Sequence, residues 1–332
     1  MDTLQLLQTI WFFLIGILFT GYSVLDGFDL GIGTLLPFMA KDKKETATLL
    51  TSIGPVWDGN EVWIITAGGA LFAAFPHVYA TVFSGFYLAL MLVLFGLIFR
   101  AVSLEFWSMD EARRGLWEWS FSLGSFLPAL LFGVALGNVI AGVPLNDKME
   151  FTGDFFTLLR PFPLMLGLLG LSAILLQGCT YAILKTDGLL QDKFRRVSKW
   201  VWAAFACFWV LSLMLSAVYL PDSMKNPLAW ICTAALVVFL VLNRIWLNKK
   251  NDAVPFIMST LSFASLWGIA GSLQFPNLVR ALQGSDLHLT IYNSSSTELT
   301  LTVMLIIALT GMPLVIGFTI YVYRIFKGKV KL

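Results

Sequence analysis

Long apolar runs at residues 6–38, 50–75, 78–103, 115–141, 162–184, 197–220, 228–246, 254–275 and 299–325 alternate with short polar segments along the whole chain. An α-helix needs about 20 apolar residues to cross the hydrocarbon core of a bilayer, and each run is near or above that length. The pattern predicts an all-α, polytopic membrane protein of about nine spanning helices, with the chain's two ends on opposite sides. Between the second and third runs the break is Pro76-His77, which predicts a very tight hairpin. The first run opens directly after Met1-Asp2 without a basic leader or a small-residue cleavage site, so it reads as a retained helix rather than a signal peptide.

Polar positions inside the apolar runs concentrate between Val24 and Gly69. Asp26 and Asp29 are three residues apart, as are Asp58 and Glu61, so each pair shares one side of its helix. A carboxylate near the bilayer centre costs about 2.5–3.5 kcal/mol on insertion scales, and such groups face a bundle interior or water. Two readings stand for each acid: a member of a proton or ion route, or a hydrogen-bonding group that ties one helix to the next. Gly27, Gly31, Gly59, Asn60, Trp57 and Trp63 are interleaved with the acids. They supply close approach and hydrogen bonds, and favour an internal polar site.

Composition sharpens this picture. The chain has 332 residues, 58% hydrophobic and 13% charged, with mean hydropathy +0.81. A net charge of +2 points to no nucleic-acid partner. Basic residues are distributed asymmetrically. The segments after the first, third, fifth and seventh runs and the C-terminus carry eighteen of the 22 Lys and Arg. These are Lys41, Lys43, Lys44; Arg100, Arg113, Arg114; Lys185, Lys193, Arg195, Arg196, Lys199; Arg244, Lys249, Lys250; and Arg324, Lys327, Lys329, Lys331. Lys148, Arg160, Lys225 and Arg280 fall on the other side. By the positive-inside rule the N-terminus is outside and the C-terminus, Leu332, cytoplasmic. Trp107, Trp117, Trp119, Trp200, Trp230 and Trp246 sit at run ends, where an aromatic belt belongs. The longest outer connection, about Phe275 to Glu298, is placed to cap the outer face.

Redox ligands are scarce. His77 and His288 are the two histidines, one at the hairpin break and one in the outer loop, so neither offers a central haem ligand. Cys179, Cys207 and Cys232 are isolated in apolar runs and read as packing residues, with no metal site indicated. Gly27-x-x-x-Gly31 and Gly133-x-x-x-Gly137 have the spacing of close helix contacts. Arg100, near the cytoplasmic end of the third run, reads as an anchor, with pairing to an acid of the first two helices as the alternative. Two function classes fit these features: a proton-coupled membrane transporter, or the non-haem subunit of a larger energy-converting complex. Transporters of this kind carry inverted repeats, and the acidic pattern has no second copy in the other half of the chain.

The motifs Asp26-Gly27-Phe28-Asp29-Leu30-Gly31-Ile32-Gly33 and Pro55-Val56-Trp57-Asp58-Gly59-Asn60-Glu61-Val62-Trp63 closely resemble subunit II of the cytochrome bd-type quinol oxidases. The likeness continues through Ala70–Pro76, Ser84–Tyr87 and Phe99-Arg100, and more weakly at Gly153–Phe156 and Ser295–Thr300. The resemblance implies two four-helix bundles plus one peripheral helix: residues 1–141 with the acidic motifs, 155–275, and a last helix at 299–325. It implies a bacterial cell-membrane heterodimer with a haem-bearing subunit I, which carries haems b558, b595 and d, or a b-type haem in place of d, and oxidises quinol. A small single-helix accessory subunit is compatible with it. Some relatives hold a structural quinone on subunit II, and no residue here identifies such a site. The resemblance further implies a cytoplasmic proton route toward the oxygen-reducing haem. Its route residue corresponds to Asp58, flanked by Trp57, with Asp26, Asp29, Asn60 and Glu61 as polar neighbours. Haem complement and the choice between ubiquinol and menaquinol stay open.

Overall fold

The chain's computed structural model describes residues 2–330, so Met1, Lys331 and Leu332, with the expectations placed on them, lie outside the described residues. Its helices are α1 (Thr3–Met39), α2 (Lys43–Ile53), α3 (Trp57–Ala74), α4 (Pro76–Gly85), α5 (Tyr87–Met109), α6 (Arg114–Ala141), α7 (Pro161–Lys185), α8 (Gly188–Tyr219), α9 (Pro227–Asn248), α10 (Val254–Gln274) and α11 (Glu298–Ile325). Between α10 and α11 lie two short antiparallel strands, β1 (Asn277–Val279) and β2 (Leu289–Thr290). Among the described residues eight segments, α1 and α5 to α11, are long and apolar enough to cross a membrane. The 18-residue α3 stays outside that set, carrying Asp58, Asn60 and Glu61 in its first turns.

Local chemistry explains where the elements depart from the apolar runs. Asp42 accepts from the Glu45 amide at 2.9 Å while Glu45 accepts from the Lys41 amide at 2.8 Å. This reciprocal cap starts α2 inside what the sequence presents as a plain basic loop. Pro76 opens α4, its missing N–H costing nothing in the first turn. The run expected as one helix over 78–103 is instead broken at Phe86, which leaves helical geometry at φ −99°, ψ 19° and separates α4 from α5.

α1 has 37 residues, about 55 Å of helix, and is the axis of the molecule. It packs against α3, α6, α7, α10 and α11. Its contact with α7 is backbone-close: a Cβ on Gly31 would lie 2.3 Å from the Ile174 carbonyl oxygen, and one on Gly178 2.6 Å from the Gly31 carbonyl carbon. A Cβ on Gly27 would meet only ordinary contacts, so Gly31 is the member of that glycine pair that the packing needs. Both Gly133 and Gly137 face α7 at similarly short range. Beside the crossing, Phe28 stacks on Tyr181 with centroids 3.8 Å apart, and the Tyr181 hydroxyl donates to the Ser52 carbonyl at 3.1 Å.

The two ends of the bundle are built differently. At one end Lys193 bonds Glu45 at 2.6 Å, Asp252 accepts from Arg195 and from Lys329 at 3.0 Å, and Lys185 donates to the Phe326 carbonyl at 2.6 Å. Basic segments distant in sequence therefore gather at this end. The opposite end is closed by the 275–298 connection. Gln8 donates to Ser295 at 2.7 Å, the Ser296 amide to the Ala74 carbonyl at 2.8 Å, and the Leu145 amide to Gln283 at 3.0 Å. The expected cap thus lies across this end, with Ser294 buried in it. Among the cysteines, Cys179 is core, while Cys207 is exposed rather than packed. α11 lies almost wholly on the outside, with Leu301 its buried residue.

Candidate functional site

Asp26 and Asp29, one turn apart on α1, are both 0% exposed. Two carboxyls cannot be shut away from water without partners, and α5 supplies the partner. Arg100, only 1% exposed, sends its Nη2 to Asp26 Oδ1 at 2.7 Å and its Nη1 to Asp26 Oδ2 at 3.2 Å, a two-pronged bond that suits a planar guanidinium. The same Nη1 donates to Glu61 Oε1 of α3 at 2.8 Å, and Nη2 lies 4.0 Å from Asp29 Oδ2. Three helices thus meet on one cation.

Asn60 extends the network. Its amide donates to Asp29 Oδ2 at 2.8 Å and to the Leu25 carbonyl at 3.2 Å. Its carbonyl oxygen accepts from the Tyr323 hydroxyl of α11 at 3.1 Å. Asp29 Oδ1 is buried without a hydrogen-bond partner among the described residues, as is Arg100 Nε. Glu61 is 20% exposed and is the partly open member of the cluster. With three carboxyls around one guanidinium, the group can take up or release a proton without leaving the cation unpaired.

Of the residues singled out in the sequence, Asp26, Asp29, Asn60 and Glu61 come together. Asp58 is exposed and Trp57 half-buried, and neither joins the network. Asn60, expected beside Asp58, turns the other way toward Asp29, because an unpaired buried carboxylate oxygen is the more demanding partner. Arg100 is not the anchor it reads as. It leaves seventeen basic residues in the basic-side count, since its charge is spent inside the bundle. Its signal was the continuation Ala101-Val102, which places it within the apolar run rather than after it. Tyr323 carries no sequence signal that separates it from an aromatic at the membrane boundary.

A second polar junction joins α1, α7 and α10. Gln177 donates to Thr260 at 3.0 Å and to the Val24 carbonyl at 3.3 Å, and accepts from Ser259, which also contacts Thr180 at 2.9 Å. Every member is neutral, and the junction ties the three helices together. Among the described residues no group of three or more His, Cys, Asp or Glu could hold a metal ion. His77 is exposed, and His288 Nδ1 already accepts from the Ala281 amide at 3.0 Å.

The family model for cytochrome bd terminal oxidase subunit II matches residues 7–326. The chain is 35% identical to cytochrome bd-I ubiquinol oxidase subunit 2 of Escherichia coli strain K12, over 98% of this chain and 96% of that protein. It is 31% identical to cytochrome bd ubiquinol oxidase subunit 2 of Bacillus subtilis strain 168, over 98% and 97%. A chain in the structure of bd oxidase from Geobacillus thermodenitrificans superposes with TM-score 0.82 at 17% identity, covering 96% of this chain and 98% of that one, a likeness of fold.

Proposed function

The chain belongs to the cytochrome bd terminal oxidase subunit II family, and from that premise we propose that its buried acid cluster carries protons from the basic end of the molecule toward the haem-bearing subunit I. Membership makes it an integral membrane subunit of a terminal oxidase, and it displaces the proton-coupled transporter as an alternative. The observation that carries the proposal is the gradation along α3 into the bundle. Asp58 is exposed in the first turn, Glu61 one turn on is partly open, and Arg100 links Glu61 to the fully buried Asp26 and Asp29. A proton taken up at Asp58 has a carboxylate one helical turn away to pass to, directly or through water. The unpartnered Asp29 Oδ1 leaves an acceptor free at the inner end.

A specific observation also favours a purely structural role for one member. The two-pronged Asp26–Arg100 bond, closed to water, has the geometry of a staple between α1 and α5. In this reading Asp58 and Glu61 move protons while Asp26 holds Arg100 in place.

The remaining assignments follow the same premise. Quinol is the electron donor to the complex, the haems reside in subunit I, the basic end faces the cytoplasm, and the bundles divide at 141–155 and 275–299 with α11 peripheral. The test uses the complex at equal haem content. Asp58→Asn and Glu61→Gln keep assembly and the haem spectrum but lower quinol-driven oxygen consumption about tenfold or more, and Asp58→Glu retains a larger share. Asp26→Asn instead lowers the yield of assembled complex. Undiminished oxygen consumption in both Asp58→Asn and Glu61→Gln would sink the route.

A further inference from the structure

At the basic end of the molecule, α8, α9 and the turn after α9 line a solvent-open cavity of about 390 Å³. Volumes of ~300–1,000 Å³ are typical of sites for small ligands. Helical spacing puts Asp192, Arg195, Arg196 and Lys199 on one face of α8, and Arg244 and Lys250 complete the charged lining. Five cations therefore face one carboxylate. Arg195 is already engaged: it bonds Asp252 and donates to the Lys250 carbonyl at 3.1 Å, which pins the turn against α8. Arg196 and Lys199 are exposed.

Arg244 supplies the second observation. Its guanidinium lies 5.9 Å from the Trp202 ring, and its Nη1 is buried with no hydrogen-bond partner among the described residues. Arg244 as a whole is half-buried, so its remaining nitrogens stay open to the cavity, and an anion held there balances a charge that has no acceptor at Nη1. The depth of the cavity in the bilayer follows from its aromatic neighbours. Trp200 is 80% exposed on α8, and Trp246 on α9 has Lys249 stacked at 4.8 Å. Tryptophan rings of this kind sit at the headgroup level. Leu189 and Leu247 give the cavity an apolar edge.

We propose that this cavity binds the phosphodiester headgroup of an anionic phospholipid, with Arg196, Lys199 and Arg244 contacting the phosphate and Arg195 positioning the turn that closes the site. Basic pockets between membrane helices select anionic headgroups. A zwitterionic lipid brings its own cation into a lining that has one carboxylate to receive it. The position among interfacial tryptophans assigns a lipid rather than a soluble phosphate ester.

The experiment uses the assembled complex, delipidated in neutral detergent, and titrates short-chain phosphatidylglycerol while the thermal unfolding midpoint is followed. The midpoint rises with phosphatidylglycerol and not with phosphatidylcholine of the same chain length. In R196Q/K199Q the apparent affinity falls about 25-fold, roughly fivefold for each basic residue removed. R244Q weakens binding likewise, and R244K restores part of it. The two surface substitutions leave the lipid-free midpoint and haem content unchanged, which separates binding from folding; K199Q alone serves if the pair does not assemble. Equal affinity in R196Q/K199Q, or an equal response to phosphatidylcholine, overturns the proposal. So does an equal midpoint rise with inorganic phosphate alone, which would make the site one for free phosphate.

Discussion

A guanidinium that is 1% exposed and bonded to two carboxylates has no neutral replacement. Arg100→Gln leaves Asp26 and Asp29 buried without their cation, and breaking a buried pair in this way costs about 3–5 kcal/mol. The expected outcome is a marked loss of assembled complex and a lower thermal unfolding midpoint. Arg100→Lys keeps the charge but not the fork, and falls between. The four polar residues of α1 and α3 were legible because acids and amides stand out in apolar runs. Their partner was not, because Arg100 is 74 residues from Asp26 and nothing in a single sequence encodes which helix faces which. A different residue-scale expectation concerns His288 in the 275–298 cap. Burial, with Arg280 nearby adding to it, holds its imidazole below the ordinary histidine value, and its neutral Nδ1 accepts from the Ala281 amide. A depressed value means that its contribution is complete above the ordinary histidine range, about pH 6.5, and is lost as pH falls through the folded value. The protection factor of the Ala281 amide, with exchange corrected for its intrinsic pH dependence, should fall as pH drops below about 6.5, and His288→Gln, which keeps an acceptor but does not titrate, should remove that dependence.

At the scale of elements, the α1–α7 crossing is the contact that admits least change. Gly31→Ala drives a methyl to 2.3 Å from the Ile174 carbonyl oxygen, and Gly178→Ala places one 2.6 Å from the backbone of Gly31. Each should destabilise by about 1–3 kcal/mol through overpacking. Gly59→Ala, with nothing within 4 Å, should be neutral or stabilising by up to about 1 kcal/mol. Thermal unfolding midpoints of the three variants check the order. Helix existence was plain from apolar run length, because a bilayer demands it. The reciprocal cap Asp42–Glu45 was also present in the sequence, yet three lysines around it gave the segment the look of a loop. The break at Phe86 follows Ser84-Gly85, a turn-type pair, but that pair lies in an otherwise apolar stretch, so the run 78–103 read as continuous. There Gly85 abuts Phe151 of the segment between α6 and α7, where a Cβ would lie 2.6 Å from the ring. That contact is tertiary and has no local trace.

For the whole molecule, the gathered basic end and the capped end set a topology that can be measured from outside the cell. Ser285→Cys lies on the exposed surface of the cap and should react with a membrane-impermeant thiol reagent in intact cells. Lys327→Cys, at the basic end, should react only after permeabilisation, and the opposite pattern would reverse the orientation. Both reporters belong in a background lacking Cys207, which is itself exposed. The last helix touches the rest of the chain chiefly at its two ends. Leu301 accepts from the Trp11 indole at 3.0 Å near one end, and Tyr323 reaches Asn60 near the other. Chains are made in one direction, so this geometry has a timetable. Tyr323 is 263 residues after Asn60, and at about 5–20 residues per second the ribosome delivers it roughly 13–50 s later. Asp26 waits for Arg100 over 74 residues, or about 4–15 s. Through that interval the nascent first helices carry their acids without the cation, and then without the final hydroxyl. The cluster is therefore assembled in stages during biogenesis, and its completion marks the point at which every spanning helix has entered the membrane.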